Sequence, residues 1–242
     1  MLQLTVLGSG NAFCSDGRAQ AAFYIQSRSS AMLLDAGATS LKQCKTFALD
    51  LKELDLVLLT HFHGDHFLGL AFVILEMDFL CHRERPLDIA GPPGVTERCL
   101  SLLDLAYPEY RPPFALRFHP LTGPASLSGF QIEPLPMQHR PESLGYRIRE
   151  EEGCSLAFSG DTAFHHNLFA LYDEMDLGLL EVSLHEPEPG VAHVALSEVM
   201  AERQSFTAGR MIFTHLTDSI AAELEKHWPG SAAYDGQVVV LG

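Results

Sequence analysis

The stretch THFHGDHFLG, residues 60–69, follows directly on the apolar run Leu56-Val57-Leu58-Leu59. Three histidines and an aspartate, His61, His63, Asp65 and His66, crowd six positions at the mouth of a buried strand. Such side chains are costly to bury unless something binds them. Imidazole and carboxylate donors without a thiolate suit zinc and other first-row divalent ions, and a mixed set of this kind fits a catalytic site better than a structural one. Where the strand becomes a loop, His61 and His63 are two apart and point the same way, so they can share one ion. Asp65 and His66 fall on the following turn and can face a second.

Three further donors stand directly after apolar β-runs: His139 after residues 132–137, Asp161 after 156–160 and His215 after 211–214. Strand ends of this kind are where parallel or mixed sheets gather their active-site residues. Taken singly, each is an ordinary surface residue. As a set with the cluster, they supply seven ligands, enough for two ions with one carboxylate bridging.

Composition narrows the surroundings. The 242 residues are 47% hydrophobic, enough for a sizeable core, and are read as one domain over 1–242. No apolar run approaches the roughly 18 residues of a spanning helix, so no membrane partner is expected. The first seven residues lack a basic leader segment and read as a strand. Five scattered cysteines without a CxxC pair argue against a disulfide framework and for a reducing cytoplasm. The net charge of −15, from 16 basic and 31 acidic residues, weighs against a large nucleic-acid footprint.

Outward from the cluster, strands alternate with helices and no linker divides the chain. Strands are expected over residues 2–7, 22–26, 31–34, 54–60, 87–90, 116–119, 130–137, 145–149, 155–159, 177–181, 210–214 and 237–241. Helices are expected over 39–48, 67–80, from 95 to about 107, and over 164–172, 196–204 and 219–227. Two successive sets of strands, each ending in helices, predict an α/β fold of two packed sheets with helices outside. The turn Gly8-Ser9-Gly10-Asn11 lacks the Gly-Lys-Ser/Thr of a phosphate-binding loop and reads as structural.

The segments THFHGDH, MQH, FSGDT and FTHL, in that order, resemble the metallo-β-lactamase-fold hydrolases, and the likeness runs from the opening LGSGNAF to the last strand. The resemblance implies a four-layer αββα sandwich of two mixed sheets with the site at one edge. Carried over position by position, His61, His63 and His139 would hold one divalent ion. Asp65, His66 and His215 would hold the other, with Asp161 bridging. Zn2+ is the first choice, with Mn2+ or Fe also compatible. The segment HRPESLGYRI, residues 139–148, and GPPG, residues 91–94, resemble ribonuclease Z in particular. Those enzymes carry a long arm that grips transfer RNA between the strands matching GYRI and SGD. Here only residues 149–155 intervene, room for a tight hairpin with an acidic tip, which argues against a large tRNA footprint.

A water between two divalent cations becomes a hydroxide nucleophile near neutral pH, and the cations can take up charge on a phosphoryl or carbonyl oxygen. Asp65 is the candidate to orient that water or accept its proton. His193, ahead of the helix over 196–204 where Ser197 could help form the cap, is the candidate acid, since ribonuclease Z enzymes place a histidine at a corresponding helix head. Their upstream His-Glu pair resembles His185-Glu186. The leading expectation is a phosphodiesterase acting on a small molecule or short oligonucleotide. The alternatives are a lactone, thioester or β-lactam hydrolase on the same metals, and a non-catalytic scaffold. Phe72, Phe79 and Leu80 read as core or as contacts of a homodimer, which the resemblance implies.

Overall fold

Apolar residues fill both alternate sets of side chains along the early strands. Phe23, Ile25, Met32 and Leu34 enter one core, while Tyr24, Ala31 and Leu33 enter another. A strand with no polar face must be covered on both sides, as in a layered α/β fold. The computed structural model describes residues 1–150 and 153–242.

The first half of the chain contributes β1 (Leu2–Gly8), β2 (Ala22–Gln26), β3 (Ala31–Leu34), β4 (Leu54–Leu58), β5 (Leu87–Gly91) and β6 (Leu116–Pro120). The second contributes β7 (Ala125–Leu127), β8 (Phe130–Pro136), β9 (Leu144–Glu150), β10 (Ser155–Phe158), β11 (Leu177–Glu181), β12 (Arg210–Thr214) and β13 (Val238–Leu241). The helices are α1 (Ser40–Thr46), α2 (Gly64–Phe67), α3 (Leu70–Phe79), α4 (Val95–Ala106), α5 (Asn167–Tyr172), α6 (Leu196–Ala201) and α7 (Asp218–His227). Among the described residues the strands form two mixed sheets, ordered β13-β1-β2-β3-β4-β5-β6 and β12-β11-β10-β9-β8-β7.

One core lies between the sheets and holds Leu4, Phe23, Leu56, Tyr146, Phe158 and Ile212. A second packs α1, α3 and α4 on the outer face of the first sheet. A third packs α5, α6 and α7 on the outer face of the second. The expected αββα layering is therefore the observed one.

The differences have local causes. The expected helix over 67–80 is two helices, with Leu68 and Gly69 between α2 and α3. A side chain at Gly69 would collide with the carbonyl oxygens of Gly37 and Ala36, so the chain must be glycine there. The three-residue β7 lies beyond a Gly-Pro turn and was too short to read from pattern. The last strand joins β1 in the first sheet, a pairing that pattern alone does not reveal. Phe72, Phe79 and Leu80 are not core: they are 45%, 60% and 63% exposed. Across the segment 149–155, β9 and β10 pair antiparallel, and the Glu150 N–H donates to the Cys154 carbonyl at 2.9 Å. The expected acidic tip, Glu151 and Glu152, lies outside the described residues.

Candidate metal centre

Parallel neighbours in each sheet bring several strand ends to one edge of the sandwich. β4 delivers His61 and His63, α2 delivers Asp65 and His66, β8 delivers His139, β10 delivers Asp161 and β12 delivers His215. All seven residues expected from the sequence meet there. His61, His63, His139 and Asp161 form one group, and Asp65, His66, Asp161 and His215 another, with donor atoms inside each group within 4.8 Å of one another. Asp161 belongs to both, the position expected of a bridging carboxylate.

Hydrogen bonds behind the rings fix which nitrogen faces inward. The His66 Nδ1–H donates to Asp35 Oδ2 at 2.7 Å, and that of His139 to the Ala192 carbonyl at 2.8 Å. The His215 Nδ1–H donates to Ser183 Oγ at 2.6 Å. The Thr60 hydroxyl donates to Asp35 at 2.7 Å, so its oxygen accepts the His61 Nδ1–H at 3.1 Å. Each of these four rings thereby turns Nε2 toward the centre, the nitrogen a metal ligand would offer. His63 stands with Nδ1 3.0 Å from His139 Nε2, so the two rings crowd the same point.

The donor set fits divalent ions on two counts. Nε2 of His61, Nε2 of His66 and Oδ1 of Asp161 are buried with no hydrogen-bond partner, which is costly in a folded protein. The electrostatics ask for positive charge. Burial opposes ionisation of Asp65 and Asp161, yet the surrounding histidines hold both carboxyls below the usual range. Burial likewise opposes charge on His66 and His215, and it is outweighed chiefly by Asp161. His61, by contrast, is pushed down to about 2 by burial and by neighbouring His66, so it stays neutral with its lone pair free.

The local backbone is specialised as well. Asp35 and His215 adopt φ of +57° and +62°, conformations that non-glycine residues occupy at a cost and that concentrate at functional sites. A Cβ on Gly37 would strike the carbonyl oxygen of Asp65, so this glycine lets α2 settle against the end of β3. The settled contact is a hydrogen bond from the Ala36 N–H to the His66 carbonyl at 2.7 Å.

His193 is in the same cluster. Its ring lies 4.9 Å from that of His139 and stacks at 5.5 Å on His215. Its Nδ1 bonds Glu181 Oε1 at 2.7 Å. Burial works against the imidazolium, but the hydrogen bond and charge of Glu181 prevail and raise it to about 9. The carboxylate partner of His193 is thus Glu181. His185 instead bonds Ser219 Oγ at 3.0 Å, and neither it nor Glu186 falls in a metal-holding group among the described residues. Ser197 does not cap α6: the Glu198 carboxylate accepts the Ala195 N–H at 2.9 Å. Sequence reasoning missed Glu181, Asp35 and Ser183. The signal for Glu181 was a charged residue ending the fully apolar run Leu177-Gly178-Leu179-Leu180.

The family model described as "Beta-lactamase superfamily domain" matches residues 31–216. Ribonuclease Z from Mycobacterium bovis is 28% identical over 268 residues, covering 99% of this chain and 95% of that protein. Among solved structures, a new diphosphatase from the PhnP family superposes with a TM-score of 0.80 at 22% identity, covering 100% of this chain and 98% of that one. The short form of human tRNase Z superposes with a TM-score of 0.80 at 20% identity, covering 99% of each chain. With its two-sheet sandwich and its histidine-aspartate cluster, the chain belongs to the beta-lactamase superfamily, with the metallo-β-lactamase fold and a likeness to ribonuclease Z.

Proposed function

We propose that the protein is a metal-dependent phosphodiesterase acting on a small phosphodiester or a short oligonucleotide, with chain 1–242 working as one hydrolase domain. The observation that carries this reading is the Glu181–His193 pair standing over the two ligand groups. Hydrolysis of a phosphodiester expels an alkoxide, a poor leaving group unless it is protonated as it departs. A histidine raised to about 9 carries that proton at neutral pH. Its Nδ1 is committed to Glu181, which leaves Nε2 to donate.

His61, His63 and His139 would hold one ion and Asp65, His66 and His215 the other, with Asp161 shared; the all-nitrogen-and-oxygen set favours zinc, with manganese or iron as substitutes. Two such ions supply a water activated near neutral pH and charge stabilisation at the phosphoryl oxygens. Asp65 stays ionised, with Oδ2 3.3 Å from His215 Nε2, and serves to orient the attacking water and accept its proton.

The names of the similar proteins, a ribonuclease, a tRNase and a diphosphatase, support phosphorus rather than carboxylic chemistry. The short 149–155 connection and the charge of −15 support a small substrate over a whole transfer RNA. The five free cysteines support a cytoplasmic setting, and among the described residues no helix is long and apolar enough to cross a membrane. Exposed Leu68, Phe72, Phe79 and Leu80 on and beside α3 support a homodimer through that helix.

The test is hydrolysis of bis(p-nitrophenyl) phosphate by zinc- and manganese-loaded protein, with His66→Ala as control and with a thioester, a lactone and nitrocefin alongside. Diester turnover that disappears in the variant supports the reading. Turnover of a carboxylic substrate with none of the diester overturns it.

A further inference from the structure

A cleft of about 430 Å3 opens beside the metal centre, walled by Pro93, Leu121, Pro134, Pro136, Pro141 and Leu144. It is at the same edge of the sandwich as the ligands. Pro93 and Leu121 follow β5 and β6, which run parallel to β4, and Pro136 ends β8 three residues before His139. The inner wall is joined to the centre by backbone. The Leu144 N–H donates to the carbonyl of Thr60, the residue before His61, at 3.0 Å, and the Met137 N–H donates to the Ser143 carbonyl at 2.9 Å.

The turn over 140–143 separates ligand from cleft. It is closed by the Ser143 N–H donating to the Arg140 carbonyl at 3.0 Å and by the Arg140 N–H donating to Ser143 Oγ at 3.1 Å. Arg140 is exposed, and its guanidinium has no partner among the described residues. No lysine, arginine or histidine lines the cleft itself, whose only charged wall residue is Glu142. A phosphate is therefore repelled from the cleft and drawn to its lip, while the interior accepts an uncharged group.

Four prolines give that interior stiff walls that lose little freedom when a ligand enters. Concave, mainly apolar sites with a few placed polar groups suit flat, partly apolar ligands, and here the Thr122 hydroxyl, the Glu142 carboxylate and Ser143, whose hydroxyl accepts the Arg140 N–H, are the polar residues. From this geometry we infer that the cleft is a nucleobase subsite, with Arg140 steering the adjoining phosphate toward the metal centre. The inference rests on the phosphodiesterase reading and deepens it: the substrate is a small nucleoside phosphodiester, one base in the cleft and its phosphorus at the ligand cluster.

The experiment compares thymidine 5′-(p-nitrophenyl phosphate) with methyl p-nitrophenyl phosphate on zinc-loaded wild type, Thr122→Trp and Arg140→Gln. The expected ratio of kcat/KM for wild type favours the nucleoside ester by about tenfold, expressed in KM. Thr122→Trp fills the cleft and brings the ratio to about one, whereas Arg140→Gln weakens both esters. A wild-type ratio near one, or a ratio unchanged in Thr122→Trp, overturns the inference. If neither ester is hydrolysed by protein with two ions bound, the phosphodiesterase reading fails. Calorimetry with thymidine 5′-monophosphate then decides the cleft alone. Binding about tenfold weaker in Thr122→Trp supports the base subsite. Equal or absent binding, or tighter binding of hexyl phosphate, overturns it.

Discussion

Glu181 Oε1 lies 2.7 Å from His193 Nδ1, and Oε2 of the same carboxylate accepts the Ser183 hydroxyl at 2.7 Å. One fully buried side chain therefore holds the candidate acid with one oxygen and, through Ser183, the candidate ligand His215 with the other. The candidate proton donor and the candidate ligand cluster thus share one anchor, the kind of fixed relative placement that catalysis exploits.

His193 donates only while protonated. Its pKa is raised from 6.5 to about 9, so the acid form prevails at neutral pH and is lost as pH rises through that value. Bound cations repel the imidazolium and place the alkaline limb between the two values. The same sign applies to folding: the pair's contribution is fully present below 6.5 and fades as pH climbs toward 9. Glu181→Gln should move the limb of the rate profile downward. His193→Ala should cost about 10²- to 10⁴-fold on an alkyl ester yet little on p-nitrophenolate esters, whose leaving group needs no acid. Equal losses on both esters would remove His193 from the acid role.

Ser183→Ala leaves His215 Nδ1 without its acceptor while keeping the ligand atom. Outer partners of this kind set ring orientation and basicity, and their loss typically weakens metal affinity by about 10- to 100-fold. The second ion should dissociate first on titration with a chelator, and Ser183→Thr, which keeps the hydroxyl, should restore it. If Ser183→Ala binds both ions as tightly as wild type, the hydroxyl is only a space-filling group.

Gly69 has φ −67° and ψ −18°, a conformation any residue can adopt, so Gly69→Ala isolates the collision with the Gly37 and Ala36 carbonyls. Overpacking at such a point costs about 1–3 kcal/mol, and here it lifts α2 from the end of β3. We expect a lower Tm together with reduced metal content, because Asp65 and His66 ride on α2. Wild-type metal content at a lowered Tm would separate this packing from ligand placement.

Much of this site was legible because candidate ligands at strand ends interrupt apolar runs, and the cluster at 60–69 has no packing explanation. The supporting residues were harder to see. Asp35 and Ser183 are single polar residues at strand ends, and nothing in their neighbourhood says which ring they face across 31 or 32 positions of chain. The carboxylate that holds His193 is 12 positions away in the chain and reaches it through sheet geometry, so no local pattern announces the pair. The return of β13 to the first sheet was likewise invisible, since alternation reveals a strand but not its neighbour.

If His66 and His215 hold a metal, protons and the ion compete for the same nitrogens, so stabilisation by zinc should have a predictable slope. The pull of Asp161 draws protons onto His66 and His215 when no cation is bound, and those protons must leave as a metal enters. Zinc binding therefore strengthens as pH rises. Because an ion that binds only the folded chain stabilises it by about 2.7 kcal/mol at a hundredfold excess over Kd, the increase in Tm on adding zinc should be larger near pH 8 than near pH 6. Chelation should return Tm to the metal-free value at both. A shift of equal size across that range would mean that zinc displaces no protons, and the ligand assignment of His66 and His215 would have to be withdrawn.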